Sequence, residues 1–247
     1  MSLPRRHVVP SPAVGRRFVV AGAALLIVGL ALALWIARGI DAADARDLPI
    51  NTWFHDRADT DGVVRSIASF VSWVGAGSHL VRIELATVAV LLVVRRWRWA
   101  VFVFVSAMGG HLLSNVTKQV VGRPRPPWFV LYPGQTASMF PSFPSGHTTA
   151  GMAGLVAIAI TAWFVLPRPW STVTGPVVAV IGLLQGPSRL FLAKHWVTDV
   201  LGGLLLGSGW LCVVWGAFLV WLAPRDRVAV DDGAERDVSG RSSPTSS

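Results

Sequence analysis

Residues 144–166 read PSGHTTAGMAGLVAIAITAWFVL. The stretch opens with a helix-capping pair, Pro144-Ser145, and a glycine, Gly146, that lets backbone come close to a ligand. It then places His147 on the first turn and continues from 148 to 166 as a nearly unbroken apolar run. A bilayer-crossing helix needs about 20 apolar residues. A polar cap and an imidazole at the mouth of such a run therefore predict a membrane span whose N-terminus carries chemistry. Free N–H groups and the helix dipole at that terminus suit an anion.

Working outward, five more runs of this kind occur: 17–38, 78–94, 99–118, 172–191 and 197–222. The expected fold is an all-α, polytopic membrane helical bundle with six transmembrane helices. Arg82 and Glu84 interrupt the run 78–94, where they are read as helix–helix glue. Residues 62–77 are amphipathic and suited to lie on a membrane surface. The expected organisation is a cytoplasmic N-terminal segment (1–16), a six-span domain (17–222) and a disordered cytoplasmic tail (223–247) whose composition turns polar. The basic start and the Ala43-Asp44-Ala45 site have the form of a signal peptide. The length of the apolar core and the spans that follow favour an uncleaved anchor.

Composition agrees. The chain of 247 residues is 53% hydrophobic and 14% charged, with a mean hydropathy of +0.55, outside the range of an ordinary soluble domain. The net charge of +9 sits in short arginine clusters between apolar runs, which controls topology rather than binding nucleic acid. A cytoplasmic N-terminus places Arg95, Arg96, Arg98, Arg168, Arg225 and Arg227 inside. It places the acidic stretch Asp41, Asp44, Asp47, Asp56, Asp59 and Asp61 outside, as a loop. The lone cysteine, Cys212, excludes an intrachain disulfide and a cysteine metal site.

Polar residues are scarce in the apolar part. Between Gly62 and Pro224 the only acids are Glu84 and Asp199, and the only lysines in the chain are Lys118 and Lys194. Charges in such a background are costly and mark function. Lys118 ends the third run. Arg125 follows in a Pro-stiffened turn, Arg123-Pro124-Arg125-Pro126-Pro127. Ser188-Arg189 close the fifth run, and His195 and Asp199 open the sixth. The last two are four apart and share one helix face. A carboxylate that accepts the Nδ1 proton leaves the Nε2 lone pair free to attack. Arginine binds phosphate oxygens bidentately and lysine as a point charge. His111, Asn115 and Lys118 fall at i, i+4, i+7 and are read as one interior face. Gly202, Gly203, Gly207 and Gly209 are read as close helix packing.

Lys-x₆-Arg-Pro, Pro-Ser-Gly-His and Ser-Arg-x₅-His-x₃-Asp, in this order, resemble the type-2 phosphatidic acid phosphatase superfamily over about residues 78–222. Asn115, Phe143 and Val200-Leu201-Gly202-Gly203 extend the likeness. Ala193-Lys194 depart from it, standing where the family often has Gly and an apolar residue, and Val197 stands where it often has Pro. The resemblance implies an outward-facing lipid phosphatase. His195 would be the nucleophile, forming a phosphohistidine, Asp199 its orienting group and His147 the proton donor. Lys118, Arg125, Ser145, Gly146 and Arg189 would bind the phosphate oxygens. It implies no cofactor and no metal. Its partners would be a lipid phosphate substrate and the membrane lipid, with no nucleic acid and no obligate protein partner. The implied substrates are a polyprenyl diphosphate such as undecaprenyl diphosphate, which is favoured, or phosphatidic acid or phosphatidylglycerol phosphate. A vanadium haloperoxidase-like oxidoreductase and a non-catalytic lipid transporter or scaffold are the alternatives of other classes. The six apolar runs oppose the first, and the complete set of polar residues opposes the second.

Overall fold

The computed structural model describes residues 9–130, 133, 135–136 and 139–222. The expected tail 223–247 and the first eight residues of the expected segment 1–16 lie outside the described residues. Among the described residues there is no strand. The helices are α1 (Pro12–Arg38), α2 (Ile40–Thr60), α3 (Gly62–Val74), α4 (Gly77–Val93), α5 (Trp97–Val121), α6 (Gly146–Ala150), α7 (Val156–Val165), α8 (Trp170–Phe191) and α9 (Val197–Ala217). A π-helical turn, Gly151–Leu155, joins α6 to α7, and another, Phe218–Leu222, extends α9.

Among the described residues four helices are long and apolar enough to cross a bilayer: Pro12–Arg38, Trp97–Val121, Gly146–Val165 and Val197–Trp221. A fifth span arises if α3 and α4, bent by 51° at their short break, are taken together. These apolar helices agree with a multi-pass membrane protein. The 22-residue α8 is not among the four, and it carries Pro176 and Pro187 inside the helix together with Gln185 and Arg189.

One reading of the N-terminal third is corrected. The acidic stretch expected as a loop is helix α2. Residues 62–77 divide into helix α3 and the start of α4. In α3, Ala68, Val71 and Ser72 are buried, while Val63, Ile67 and Phe70 are exposed. Such one-sided burial follows from the amphipathic spacing.

Outward surfaces of the long helices are apolar. Val20, Ile27 and Leu34 of α1, Leu112, Val116 and Val120 of α5, and Val173, Val177, Val180 and Leu184 of α8 are all exposed. Their spacing of three or four residues, or seven, keeps each set on one helix face. Inside, an aromatic cluster closes the end of the bundle where α5 begins. Trp99 stacks on Phe164 at 5.7 Å and Trp215 on Phe218 at 5.5 Å.

Small residues bring backbones together elsewhere. A Cβ built on Gly22 of α1 would lie 2.6 Å from the Gly209 carbonyl oxygen of α9, so α1 and α9 touch along their backbones. A Cβ on Gly203 would lie 2.9 Å from the Ser145 carbonyl oxygen, and one on Gly207 2.6 Å from that of Thr149. The glycines of α9 therefore let it press against the helix that His147 opens, as the sequence suggests.

Candidate active site

The C-terminal ends of α5 and α8 and the N-terminal ends of α6 and α9 gather at one end of the bundle. Between α5 and α6, Arg123, Arg125, Phe140 and Ser142 reach these ends. Lys118 fastens the loop that carries them. Its ammonium donates to the carbonyl oxygens of Pro141 (2.9 Å), Ser142 (3.0 Å) and Pro144 (2.7 Å). Those three bonds use all three lysine protons, so Lys118 acts on the site through the loop and through its charge.

Asp199 sits on the first turn of α9, fully buried, and one of its oxygens is shared. Oδ2 accepts the Trp196 N–H at 2.9 Å, capping α9, accepts the Ser142 hydroxyl, and faces His195 Nδ1 at 3.3 Å. On the other side of the imidazole, Arg125 Nη1 stands 3.3 Å from His195 Nε2. A guanidinium can only donate. Nε2 therefore carries the lone pair and Nδ1 the proton, which points at Asp199. Burial, then Arg125, Lys118, Arg189 and His147 around it, hold the His195 pKa well below the usual imidazole range. The ring is neutral at neutral pH. His195 is 2% exposed, and Arg125 is locked over it by donating to the Lys194 carbonyl at 2.6 Å and the Phe140 carbonyl at 3.1 Å.

His147 and Arg189 line a cavity of about 580 Å³ together with Ser72, Trp128 and Lys194. Arg189 Nη1 donates to the Ser72 hydroxyl, whereas Arg189 Nε is buried with no partner among the described residues. The Ser145 hydroxyl caps α6, accepting from Thr148 N (3.4 Å) and Thr148 Oγ1 (2.8 Å). The Ser145 N–H donates to the Asp199 carbonyl at 2.9 Å, tying the two helix starts together. A Cβ on Gly146 would meet only ordinary contacts, Ser114 Oγ at 3.6 Å and Lys118 Cε at 3.7 Å. Ala193 has φ 52°, a left-handed backbone that glycine adopts with less strain.

Arg123, Asp44, Asp47, Asn51, Thr198, Ser72 and Ser142 were not expected. Arg123 is 0% exposed. It donates from Nε to Asp44 (2.8 Å), from Nη2 to Asp47 (2.9 Å), and from Nη1 to Asp199 Oδ1 (2.9 Å) and Thr198 Oγ1 (2.6 Å). It also lies over the Trp196 ring at 5.0 Å. Burial opposes the Arg123 charge, but Asp199, Asp44 and Asp47 more than restore it and raise its pKa. From α2, Asn51 donates to the His195 carbonyl at 2.8 Å and accepts the Val197 N–H at 3.1 Å. Thus α2 clamps both sides of the His195–Asp199 segment. Asp199 is thus joined by two carboxylates from outside the apolar part, Asp44 and Asp47, and one guanidinium engages all three. Among the described residues no group of three or more His, Cys, Asp or Glu could hold a metal ion.

Two further readings change. Asn115 is exposed, so it does not share the interior face of His111 and Lys118. Glu84 does join helices, through His111 Nε2 at 2.9 Å, but exposed Arg82 only donates back to its own helix, at the Ser78 carbonyl, 2.8 Å away.

The result is a helical membrane bundle with a neutral, oriented imidazole and a cation-lined cavity at one end. A family model described as the PAP2 superfamily matches residues 85–222. The chain belongs to that superfamily. It is 32% identical over 126 residues to an undecaprenyl-diphosphatase of Sulfolobus acidocaldarius, covering 49% of this chain and 56% of the relative. It is 37% identical over 102 residues to phosphatidylglycerophosphatase B of Bacillus subtilis, covering 39% and 47%. The chain thus spans about half the length of these curated relatives. A solved structure, the transmembrane PAP2-type phosphatidylglycerolphosphate phosphatase of Bacillus subtilis, superposes with a TM-score of 0.64 at 25% identity over 79% of this chain and 94% of that one.

Proposed function

We propose that this chain is a metal-independent membrane phosphatase that hydrolyses a lipid phosphate or diphosphate through a phosphohistidine on His195. One observation carries the reading: Arg125 donates to Nε2 while Asp199 takes up the Nδ1 side, which leaves a nucleophilic lone pair facing a cation. The Nε2 lone pair attacks phosphorus, and a phosphoryl oxygen takes over the Arg125 donor. The bond from phosphorus to the leaving oxygen breaks, and that oxygen receives a proton from His147. His147, now neutral, takes a proton from water as the water oxygen attacks phosphorus. The N–P bond breaks, and inorganic phosphate leaves with both histidines restored. Arg125, Arg189 with its free Nε, and the field of Lys118 stabilise the charge on the transferring group. With three carboxylates already bonded to Arg123, catalysis rests on these fixed cations.

A polyprenyl diphosphate such as undecaprenyl diphosphate is the favoured substrate, supported by the likeness to an undecaprenyl-diphosphatase. Phosphatidylglycerol phosphate or phosphatidic acid is the second reading, supported by the phosphatidylglycerolphosphate phosphatase structure. Phosphate release by purified protein in detergent, from a panel of these lipids, tests the reading. Activity is expected on at least one lipid, undiminished by excess chelator. Activity that chelator removes and Mg²⁺ restores would overturn the metal-free mechanism.

In the proposed topology the six spans are α1, α4 (entered through α3), α5, the α6–α7 helix, α8 and α9. Residues 17–222 form the phosphatase domain, both termini are cytoplasmic, and the site faces outward. The apolar outer stripe of α8 and the arginines at 95, 96, 98 and 168 support this. Single cysteines at Gln135 and Arg168 in a Cys212→Ser background test it on intact cells. An impermeant thiol reagent is expected to label position 135 and spare 168. The reverse pattern would overturn the outward orientation.

A further inference from the structure

A second chamber of about 410 Å³ adjoins the His147–Arg189 cavity, and Phe129 and Phe140 form part of its wall. Arg65, Trp128, Leu192 and Lys194 line both chambers, so these four residues stand where the two meet. Neither basic group there is used by the mechanism above. Lys194 is half-buried and makes no ion pair among the described residues. Burial, then Arg189 and Arg125, lower its pKa, so an anion beside it would relieve a cation that its surroundings disfavour. The nearby carboxylates Asp44, Asp47 and Asp199 are all held by Arg123, and none pairs with Lys194. Arg65 projects from α3 and meets Asp59 at 3.3 Å, with both side chains more than half exposed (61% and 68%). Such a pair holds its arginine loosely.

Resting on the phosphatase reading, we infer that Lys194 and Arg65 form a subsite for the second phosphate of a lipid diphosphate, and so set a preference for diphosphate over monophosphate esters. The terminal phosphoryl group lies at His195, Arg125 and Arg189. The bridging oxygen leads to the inner phosphate at Lys194 and Arg65, and the first carbons of the chain lie along Phe129 and Phe140. Attack by His195 at the terminal phosphorus breaks its bond to the bridging oxygen. The leaving group is then a prenyl monophosphate, and its charge grows beside Lys194 as that bond breaks. Interactions that strengthen in this way raise turnover as well as binding. A monophosphate ester places carbon, not phosphate, at that position and gains nothing from either cation.

Farnesyl diphosphate and farnesyl monophosphate carry the same chain and differ only in the inner phosphate. We would measure kcat/KM for both with the purified full chain in detergent and take their ratio. Because both values come from one preparation, any misfolded fraction cancels. The wild type is expected to favour the diphosphate. Lys194→Gln is expected to lower the ratio at least tenfold, Arg65→Gln several-fold, and Lys194→Arg to restore most of it. An unchanged ratio in Lys194→Gln, with both substrates falling together, would overturn the subsite while leaving the phosphatase reading intact. A wild type that prefers the monophosphate would do the same. Hydrolysis of neither ester by protein that releases phosphate from another lipid of the panel would overturn the subsite alone, and hydrolysis of no lipid in the panel would remove the phosphatase reading and the subsite with it.

Discussion

Replacing Arg123 by methionine is expected to abolish activity and to destabilise the protein more than any single change at the cavity wall. The substitution conserves length and removes the only guanidinium that Asp44, Asp47 and Asp199 share. Removing one partner from a buried ion pair costs about 3–5 kcal/mol, because the charge left behind is neither solvated nor paired. Here Asp199 is fully buried, and its loss of geometry would reach His195 directly. The two partners on α2 should rank in a fixed order. Asp47 Oδ2 accepts from Arg123 Nη2, Thr198 N and Thr198 Oγ1, whereas Asp44 accepts one bond and is partly exposed. Thermal unfolding in detergent at one scan rate should therefore fall in the order Arg123→Met, Asp47→Asn, Asp44→Asn, with the first lowest. An Arg123→Met variant that melts with the wild type and retains turnover would show that this network does not hold the site.

That network was the least legible part of the sequence, for a physical reason. An apolar run announces itself by length and hydropathy, and the ends of α1, α4, α5, α8 and α9 fall within a few residues of the expected runs. The stretch that becomes α2 has no such signal. It is rich in Asp and contains Pro49, and it buries a narrow row of small and polar residues, Ala43, Asp47, Asn51 and Ala58. The row is helical in spacing, at intervals of four and seven, but its stabilisation comes from partners 75 or more residues away. Arg123 was hidden for a related reason. Beside a proline and two residues from a motif arginine, it reads as one more surface cation. The usable signal was chemical: a cluster of acids in the N-terminal third and a cation outside every motif to pair with it.

Loss of His195 and loss of His147 are expected to differ in kind. His195→Ala removes the nucleophile, and removal of a nucleophile in a comparable covalent mechanism costs about 10⁶-fold in turnover. His147→Ala removes proton donation, worth about 10²–10⁴-fold, and the loss should shrink when the leaving group needs no proton. The low His195 pKa adds a pH signature. A neutral ring is required for attack, and its pKa lies below the usual imidazole range in the free enzyme. Activity in kcat/KM should therefore persist as pH falls through that range, and the acid limb assigned to His195 should appear only below it.

The residues that gather at the candidate site were largely legible, because polar residues are so few in the apolar part of the chain that spacing singles them out. His195 and Asp199 meet as their i, i+4 relation requires, and Arg125 reaches His195. The Ser145 hydroxyl caps its own helix, as the Pro144-Ser145 pair suggests. One finer point was not legible: the donors of Lys118 all go to the carbonyls of Pro141, Ser142 and Pro144. That role depends on where the loop before Ser145 returns to α5, which no local pattern specifies. Ser142 was missed for the same cause: it lies two residues before the Pro144 motif, and its hydroxyl finds Asp199 only once that loop closes.

The central claim is a covalent intermediate on His195. Purified wild type, His147→Ala and His195→Ala would be mixed with an activated aryl phosphate carrying ³²P, quenched rapidly in alkali and assayed for protein-bound label. Phosphohistidine survives base and is lost in acid. Base-stable, acid-labile label is expected in His147→Ala, above the wild-type level because water attack is slowed, and none in His195→Ala. Label of that kind in His195→Ala, or its absence from His147→Ala while aryl phosphate is still being cleaved, would contradict it.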